Sequence, residues 1–189
     1  PYVISHFAVS AAASHWGIVG WSSGGTCALM TAVMHPELFS GFVDVDGGLR
    51  PDAGSKQQTI ARLFGGDAAA FANFNPVRVM MTAHGAYGGL AGWFATSTTG
   101  HPVYRPASSE QPADSNPDDV DPSDHAAVAT FLCSVASAAG IPCAVVPVGG
   151  NHDFASAATA FRGALPWLAG RLGTPTVPVI DLPGAPPAS

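Results

Sequence analysis

A serine flanked by glycines has the surroundings of a catalytic nucleophile. Residues 20–24 read GWSSG, after the apolar run His15–Val19 and before the helix-compatible stretch Gly24–Met34. A serine on a sharp strand-to-helix turn projects its hydroxyl outward, and flanking glycines allow such a tight backbone. The pattern predicts Ser22 as a nucleophile, with the amide of Ser23 at the helix start as an oxyanion donor. The alternative is an ordinary helix-capping serine.

A histidine late in the chain could activate that serine. His152 lies in GGNHDF, residues 149–154, directly after the apolar run Cys143–Val148. A histidine on a loop at the carboxyl end of a strand can reach a serine at the end of a neighbouring strand and take its proton. We therefore predict His152 as the general base, against the alternative of a structural histidine, and expect the adjacent Asp153 to point elsewhere.

Short apolar runs alternate with helical segments along the chain. Strands are predicted at His15–Val19, Phe39–Asp46, Leu90–Ser97 and Cys143–Val148. Helices are predicted at Gly24–Met34, Gln57–Phe64, Asp67–Phe74, from Asn75-Pro76 to about His84, at Ala126–Ala138 and at Ser156–Leu172. Strands separated by helices favour a parallel sheet, so the fold class is α/β with helices on both faces. Residues 98–122 are expected to form a long surface loop, and 174–189 a proline-rich extended tail beyond a domain of residues 1–173.

The arrangement of these motifs resembles the α/β-hydrolase fold, in its branch of esterase D, feruloyl esterases and mycolyltransferases. The features that carry the resemblance are GWSSGG at 20–25, HPELF at 35–39 and GGNHDF at 149–154, and they cover most of residues 1–173. The resemblance implies a small-molecule or lipid ester substrate and a covalent acyl-enzyme on Ser22, released by hydrolysis or by transfer to an alcohol. It implies no cofactor and no metal.

The catalytic acid is not evident from the motifs. The resemblance places a carboxylate just after the strand Leu90–Ser97, where this chain reads TTGH. We predict Asp114, deeper in the loop, from its position alone. The other candidates are Asp46, at the end of the preceding strand, and the loop residues Glu110, Asp118, Asp119, Asp121 and Asp124. Asp121 or Asp124 could instead cap a helix, and an acidic, proline-broken loop is usually a solvated surface.

The resemblance also implies structure on the other side of the nucleophile strand. In this fold several strands, and a loop with a second oxyanion donor, precede the nucleophile. We expect the missing amino-terminal half of the same protein, or another chain, to pack beside the strand at 15–19, which would otherwise expose its edge.

The composition excludes one class of partner. Seven basic residues stand against thirteen acidic ones, the net charge is −6, and Lys56 is the single lysine. No cationic surface is available to bind a phosphate backbone, so nucleic acid is excluded as a partner.

Two of the three cysteines are placed to meet. Cys133 lies in a predicted helix and Cys143 begins the strand that would pack against it. They form a disulfide, or all three cysteines remain buried thiols. A disulfide would indicate an oxidising, extracytoplasmic or membrane-associated location.

Several other side chains have two interpretations. Four aromatic residues could line an acyl pocket or belong to the core: Trp21, Tyr87, Trp93 and Phe94. His101 and His125 stand alone in polar sequence, without metal-ligand spacing to the cysteines.

The rival functions are an acyltransferase on the same site and a hydrolase-fold binding protein whose triad has decayed, since fold does not guarantee activity.

Overall fold

Five strands and seven α-helices form within residues 2–83, 86–110, 112 and 116–187, which are the residues described by the structure, a computed structural model. The strands are β1 (Gly17–Trp21), β2 (Gly41–Val45), β3 (Ala91–Thr96), β4 (Val103–Arg105) and β5 (Cys143–Pro147). The helices are α1 (Tyr2–His6), α2 (Ser23–Met34), α3 (Lys56–Phe64), α4 (Ala68–Asn73), α5 (Pro76–Thr82), α6 (His125–Ala138) and α7 (Phe154–Arg171).

The strands form one sheet in the order β1-β2-β3-β5-β4. β1, β2, β3 and β5 are parallel, with Gly17 paired to Gly41 and Gly41 to Ala91 at the start of the ladder. Parallel neighbours require crossover connections, which the helices supply. The predicted α/β class with a parallel sheet is therefore confirmed.

The predicted surface loop at 98–122 contains a strand. β4 pairs antiparallel with β5, with Val103 opposite Val145. Sequence periodicity did not indicate this strand because it has three residues and lies at the sheet edge, with only its inner side paired. It covers the edge of β5 that would otherwise be open.

Each face of the sheet is covered by its own hydrophobic cluster. Side chains alternate along β2, so Phe42 lies in the cluster under α2, α5 and α6, and Val43 in the cluster under α7. On the α7 face, Trp167 and Leu168 pack against the sheet while Phe161 and Leu165 on the same helix remain 39% and 43% exposed. The parallel strands are thus covered on both faces. Because they run in the same direction, their carboxyl ends lie at one edge of the sheet.

A disulfide joins α6 to the sheet. Cys133 and Cys143 are bonded, with Cα atoms 5.8 Å apart, and Cys27 is free and exposed. The disulfide alternative of the sequence analysis is the one that the structure contains.

The described part of the tail, residues 174–187, has neither helix nor strand. It lies against the domain: Leu182 is only 8% exposed, and Gly170 of α7 has no room for a side chain because Pro178 lies over it. Among the described residues, no helix combines the length and apolar character needed to cross a membrane.

Candidate active site

Ser22 stands at a strained turn between β1 and α2. Its backbone has φ 56° and ψ −128°, a conformation that a non-glycine residue rarely adopts, and its N–H donates to Val45 O at 2.8 Å. A side chain at Gly20 would overlap the backbone of Gly24, whereas a side chain at Gly24 would meet no atom within 4 Å. The close approach therefore needs glycine at position 20, and the second glycine of the motif is not required for space.

The hydroxyl of Ser22 meets His152. Ser22 Oγ and His152 Nε2 are 2.9 Å apart, across 130 residues of sequence. His152 follows β5 on a loop that turns through Gly149 (φ 71°) and Gly150 (φ 103°). Asp153 points away, as expected, because its carboxylate accepts the N–H of Ser156 and caps α7. This pair has the geometry that a nucleophile and its general base require.

The other nitrogen of His152 faces Asp46. Nδ1 lies 3.6 Å from Asp46 Oδ2, and the second carboxylate oxygen of Asp46 accepts the N–H of Ser97 at 2.8 Å. Asp46 is 4% exposed and has φ 48°, and its own N–H donates to Ala95 O. Bonds to Ala95 of β3 and to Ser97 directly after it hold Asp46 at the end of β2.

The loop acids have other partners or lie elsewhere. The predicted acid Asp114 falls outside the described residues. Asp118 contacts Arg50 at 3.1 Å, and Asp121 accepts two hydrogen bonds from Ser123. Asp124 caps α6, as one of the interpretations expected.

A second carboxyl group is buried two residues from Asp46. Asp44 accepts the N–H of Gly47 at 2.9 Å, and its other oxygen has no partner among the described residues. Burial raises the pKa of Asp44 from 3.8 to about 7; the Gly47 bond opposes this shift and the charge of Asp46 adds to it. Asp44 lies against Gly25 in the first turn of α2, where no side chain would fit.

The amide of Ser23 is the first N–H of α2. The first N–H groups of a helix have no partner within the helix, and no acceptor for this one is found in the described part of the chain. It adjoins Ser22 at the positive end of the helix, where a developing oxyanion would be stabilised. The assignment of Ser23 as oxyanion donor stays a prediction.

A cavity of about 580 Å³ opens at Ser22. Its apolar wall consists of side chains from α2, α3 and the end of α4: Cys27, Met30, Met34, Leu63 and Phe74. Polar residues that also line it include His35, Arg50 and Asp52. An ester group at Ser22 could therefore place an apolar substituent in this cavity.

Most of the aromatic residues considered from the sequence are core residues. Tyr87, Trp93 and Phe94 are at most 5% exposed, and none lines the cavity. Trp21 is at the site, with its ring centroid 5.1 Å from that of His152.

His125 is a site residue that sequence reasoning did not find. Its ring is stacked on His152, with centroids 4.7 Å apart and planes 6° from parallel. Its position in an isolated polar segment gave no periodicity or motif to indicate this contact. Only the packing of α6 beside β5 brings the two histidines together.

Three of these groups lie close enough to be considered as metal ligands. Ligand atoms of Asp46, His125 and His152 are all within 4.8 Å of one another. The lone pair of an imidazole lies in the plane of the ring, and the two ring planes are nearly parallel. The lone pairs of the two rings cannot both point at one ion unless a ring rotates, so the arrangement fits ring stacking better than metal binding.

Solved structures with similar folds are esterases and hydrolases. A ferulic acid esterase aligns with a TM-score of 0.62 and 18% identity, over 92% of this chain and 58% of its own. FphF, a fluorophosphonate-binding serine hydrolase of Staphylococcus aureus, aligns with a TM-score of 0.61 and 15% identity, over 88% and 59%. The S-formylglutathione hydrolase FrmB of Staphylococcus aureus gives 0.54 and 16%, over 88% and 56%.

Sequence comparison adds one relative without a known function. An uncharacterized protein of Corynebacterium glutamicum is 33% identical over an alignment of 164 residues, which covers 84% of this chain and 33% of that protein. No family model matches the chain. The chain thus spans about one third of this curated relative and less than two thirds of the solved structures. The sheet order, the turn at Ser22 and the structural similarities together show that this chain has the α/β-hydrolase fold.

Proposed function

We propose that the protein is a carboxylic ester hydrolase in which Ser22 is the nucleophile and His152 the general base. The observation that carries this proposal is the 2.9 Å contact between Ser22 Oγ and His152 Nε2 at a strained strand-to-helix turn. A capping serine would instead direct its oxygen to the first N–H groups of the helix, and Ser22 makes no such bond.

The reaction has two halves. His152 takes the Ser22 proton as Oγ bonds to the ester carbonyl carbon, and the negative charge that develops on the carbonyl oxygen faces the Ser23 amide. As the carbonyl re-forms, the bond to the alkoxide leaving group breaks, and His152 returns the proton to that group. Water, deprotonated by His152, then attacks the acyl carbon of the acyl-enzyme. As the carbonyl re-forms, the bond to Ser22 Oγ breaks and His152 returns the proton to Oγ, which releases the acid and free Ser22.

Asp46 supplies the acid of this triad in our proposal. Its buried carboxylate faces Nδ1 of His152, the nitrogen that stays protonated when Nε2 acts as the base. The 3.6 Å separation is longer than a hydrogen bond, and such contacts commonly tighten when substrate binds. A carboxylate in this position argues against a decayed triad.

The substrate has an apolar substituent in this proposal. The wall of methionine, leucine and phenylalanine side chains in the cavity can bury an alkyl or aryl group. Its few charged residues carry opposite signs, so they do not select a strongly charged substituent. An acyltransferase would use the same acyl-enzyme with an alcohol as acceptor; no observed contact favours it.

We propose further that a strand from outside this sequence pairs with β1. Among the described residues β1 pairs only with β2. Val19 of β1 is 39% exposed, and Phe154 at the start of α7 is 79% exposed beside Trp21. An open strand edge flanked by apolar side chains favours cover by further structure, which would also bring the second oxyanion donor.

Labelling with a fluorophosphonate probe tests the esterase proposal. We expect the full-length protein to be labelled, and labelling to be lost in Ser22→Ala and strongly reduced in His152→Ala. Ser134→Ala, which changes a serine on α6, is the matched control and should label like the wild type. A folded full-length protein that resists the probe would overturn the proposal in favour of a binding protein.

A further inference from the structure

His125 is held at a fixed place beside the proposed base. It is the first residue of α6, and the carboxylate of Asp124 caps the helix by accepting the N–H groups of Ala126 and Ala127, each at 3.0 Å. Capping fixes the start of a helix, and therefore the direction of its first side chain. From this place the His125 ring lies parallel to that of His152 at a centroid separation of 4.7 Å.

The His152 ring needs a contact that holds its orientation. It lies on a loop with two left-handed glycines, its side chain is 37% exposed, and Asp46 stands 3.6 Å from its Nδ1, beyond a hydrogen bond. Neither the backbone nor that carboxylate fixes the plane of the ring, and the neighbouring Trp21 ring, 5.1 Å away, is tilted by 33° to it and not stacked on it. A flat ring stacked face to face restricts the rotation that would swing Nε2 away from Ser22.

The His125 ring makes its contact with His152 through its face and not through Nδ1. Nδ1 is buried and makes no hydrogen bond to any described residue. A hydrogen bond from Nδ1 to a described residue therefore does not orient this ring, and the contact observed for its face is the stack on His152.

We propose that His125 is a positioning residue that stacks on His152 and holds its ring in the plane joining Ser22 to Asp46. This rests on the proposed esterase function. The stack also places a polarisable ring against the imidazolium that forms when Ser22 attacks, an arrangement related to a cation over an aromatic face.

Steady-state kinetics on the full-length protein with a p-nitrophenyl ester tests this. We expect His125→Ala to lower kcat by about tenfold to a hundredfold with KM nearly unchanged, because misorientation of a base affects the chemical step. His125→Phe keeps a flat ring of similar size without the nitrogens and should recover most of that loss. His101→Ala, which removes an exposed loop histidine, is the matched control and should leave both constants unchanged.

Two kinetic outcomes would overturn the proposal. Equal losses in His125→Ala and His125→Phe would show that a ring nitrogen is needed, as in proton relay or metal binding. Wild-type kcat in His125→Ala would show that the stack has no effect on the reaction. Circular dichroism and thermal unfolding of each variant separate these results from a loss of folding.

A separate measurement distinguishes failure of this proposal from failure of the esterase function. If Ser22→Ala retained wild-type turnover, the esterase proposal would be wrong, and kinetics would say nothing about His125. The NMR signal of the His152 ring Cε1–H reports the stack directly through the ring current of its neighbour. It should shift in His125→Ala and stay shielded in His125→Phe; an unchanged signal in His125→Ala would overturn the stacked arrangement.

Discussion

Nδ1 of His152 lies 3.6 Å from Oδ2 of Asp46, a carboxylate at the end of β2 and not in the loop after β3. The second oxygen of Asp46 is bonded to the N–H of Ser97, so the carboxylate is oriented before any substrate arrives. The identity of the catalytic acid is therefore the question that mutagenesis can decide most directly.

Replacement of Asp46 by asparagine should lower kcat strongly. We expect a loss of about 10²-fold to 10⁴-fold, because asparagine cannot stabilise the imidazolium and can hold the wrong tautomer of His152. Asp114→Asn, at the position predicted from the sequence, is the matched comparison and should remain active. The reverse pattern, with Asp46→Asn active and Asp114→Asn inactive, would assign the acid to the loop.

Loss of the nucleophile should remove nearly all turnover. We expect Ser22→Ala to lower kcat for a p-nitrophenyl ester by about 10⁴-fold to 10⁶-fold, and the double variant with His152→Ala to lose little more, since the two groups act as a unit. Losses that multiply in the double variant would contradict a shared mechanism for the two residues.

The buried carboxyl of Asp44 should make stability depend on pH. Burial raises its pKa to about 7 in the folded protein, against 3.8 when exposed. Between about pH 4 and pH 7 the folded state therefore holds more protons than the unfolded state, so this group lowers stability as pH rises through that window. Above pH 7 both states are ionised and its destabilising contribution stays constant.

Asparagine at position 44 should remove that dependence. From pH 5 to pH 8, the free energy of unfolding of Asp44→Asn should rise relative to the wild type by roughly 1–3 kcal/mol, measured by urea unfolding. Asp181→Asn, at an exposed position, is the control and should show no such trend. A constant difference for Asp44→Asn across this range would contradict a raised pKa.

The disulfide should stabilise the helix α6 against the sheet. Replacement of both Cys133 and Cys143 by alanine is expected to lower the free energy of unfolding by about 2–4 kcal/mol, because the cross-link restricts the unfolded chain. The control is Cys27→Ala, which changes the free exposed cysteine. If the double variant unfolds at the same denaturant concentration as the control, the bond is not formed in the protein.

The outer edge of β1 can be tested by hydrogen exchange. The N–H of Ser22 points toward β2, and N–H groups alternate along a strand, so those of Val19 and Trp21 point away from the sheet. We expect these two amides to exchange rapidly in the isolated chain and slowly in the full-length protein. Ile18 and Gly20, which point toward β2, should be protected in both. Rapid exchange of Val19 and Trp21 in the full-length protein would show that nothing pairs with β1.

The sequence by itself determined the class of fold and two residues of the candidate site. The α/β class followed from apolar runs separated by helical segments, because such strands must be parallel and covered on both faces. Ser22 and His152 were identifiable because each stands in a glycine-rich turn directly after a strand. These are local signals, and the backbone geometry that they encode is local too.

The tertiary structure decided what local signals do not encode. Asp46 follows its strand like many loop residues, and only the parallel register of β2, β3 and β5 brings its carboxylate to His152. His125 stands at the start of a helix whose packing beside β5 places its ring on that of His152. β4 was missed because three residues at a sheet edge carry no alternation long enough to detect. Distances between side chains far apart in sequence depend on strand order and helix packing, which no single segment of the chain specifies.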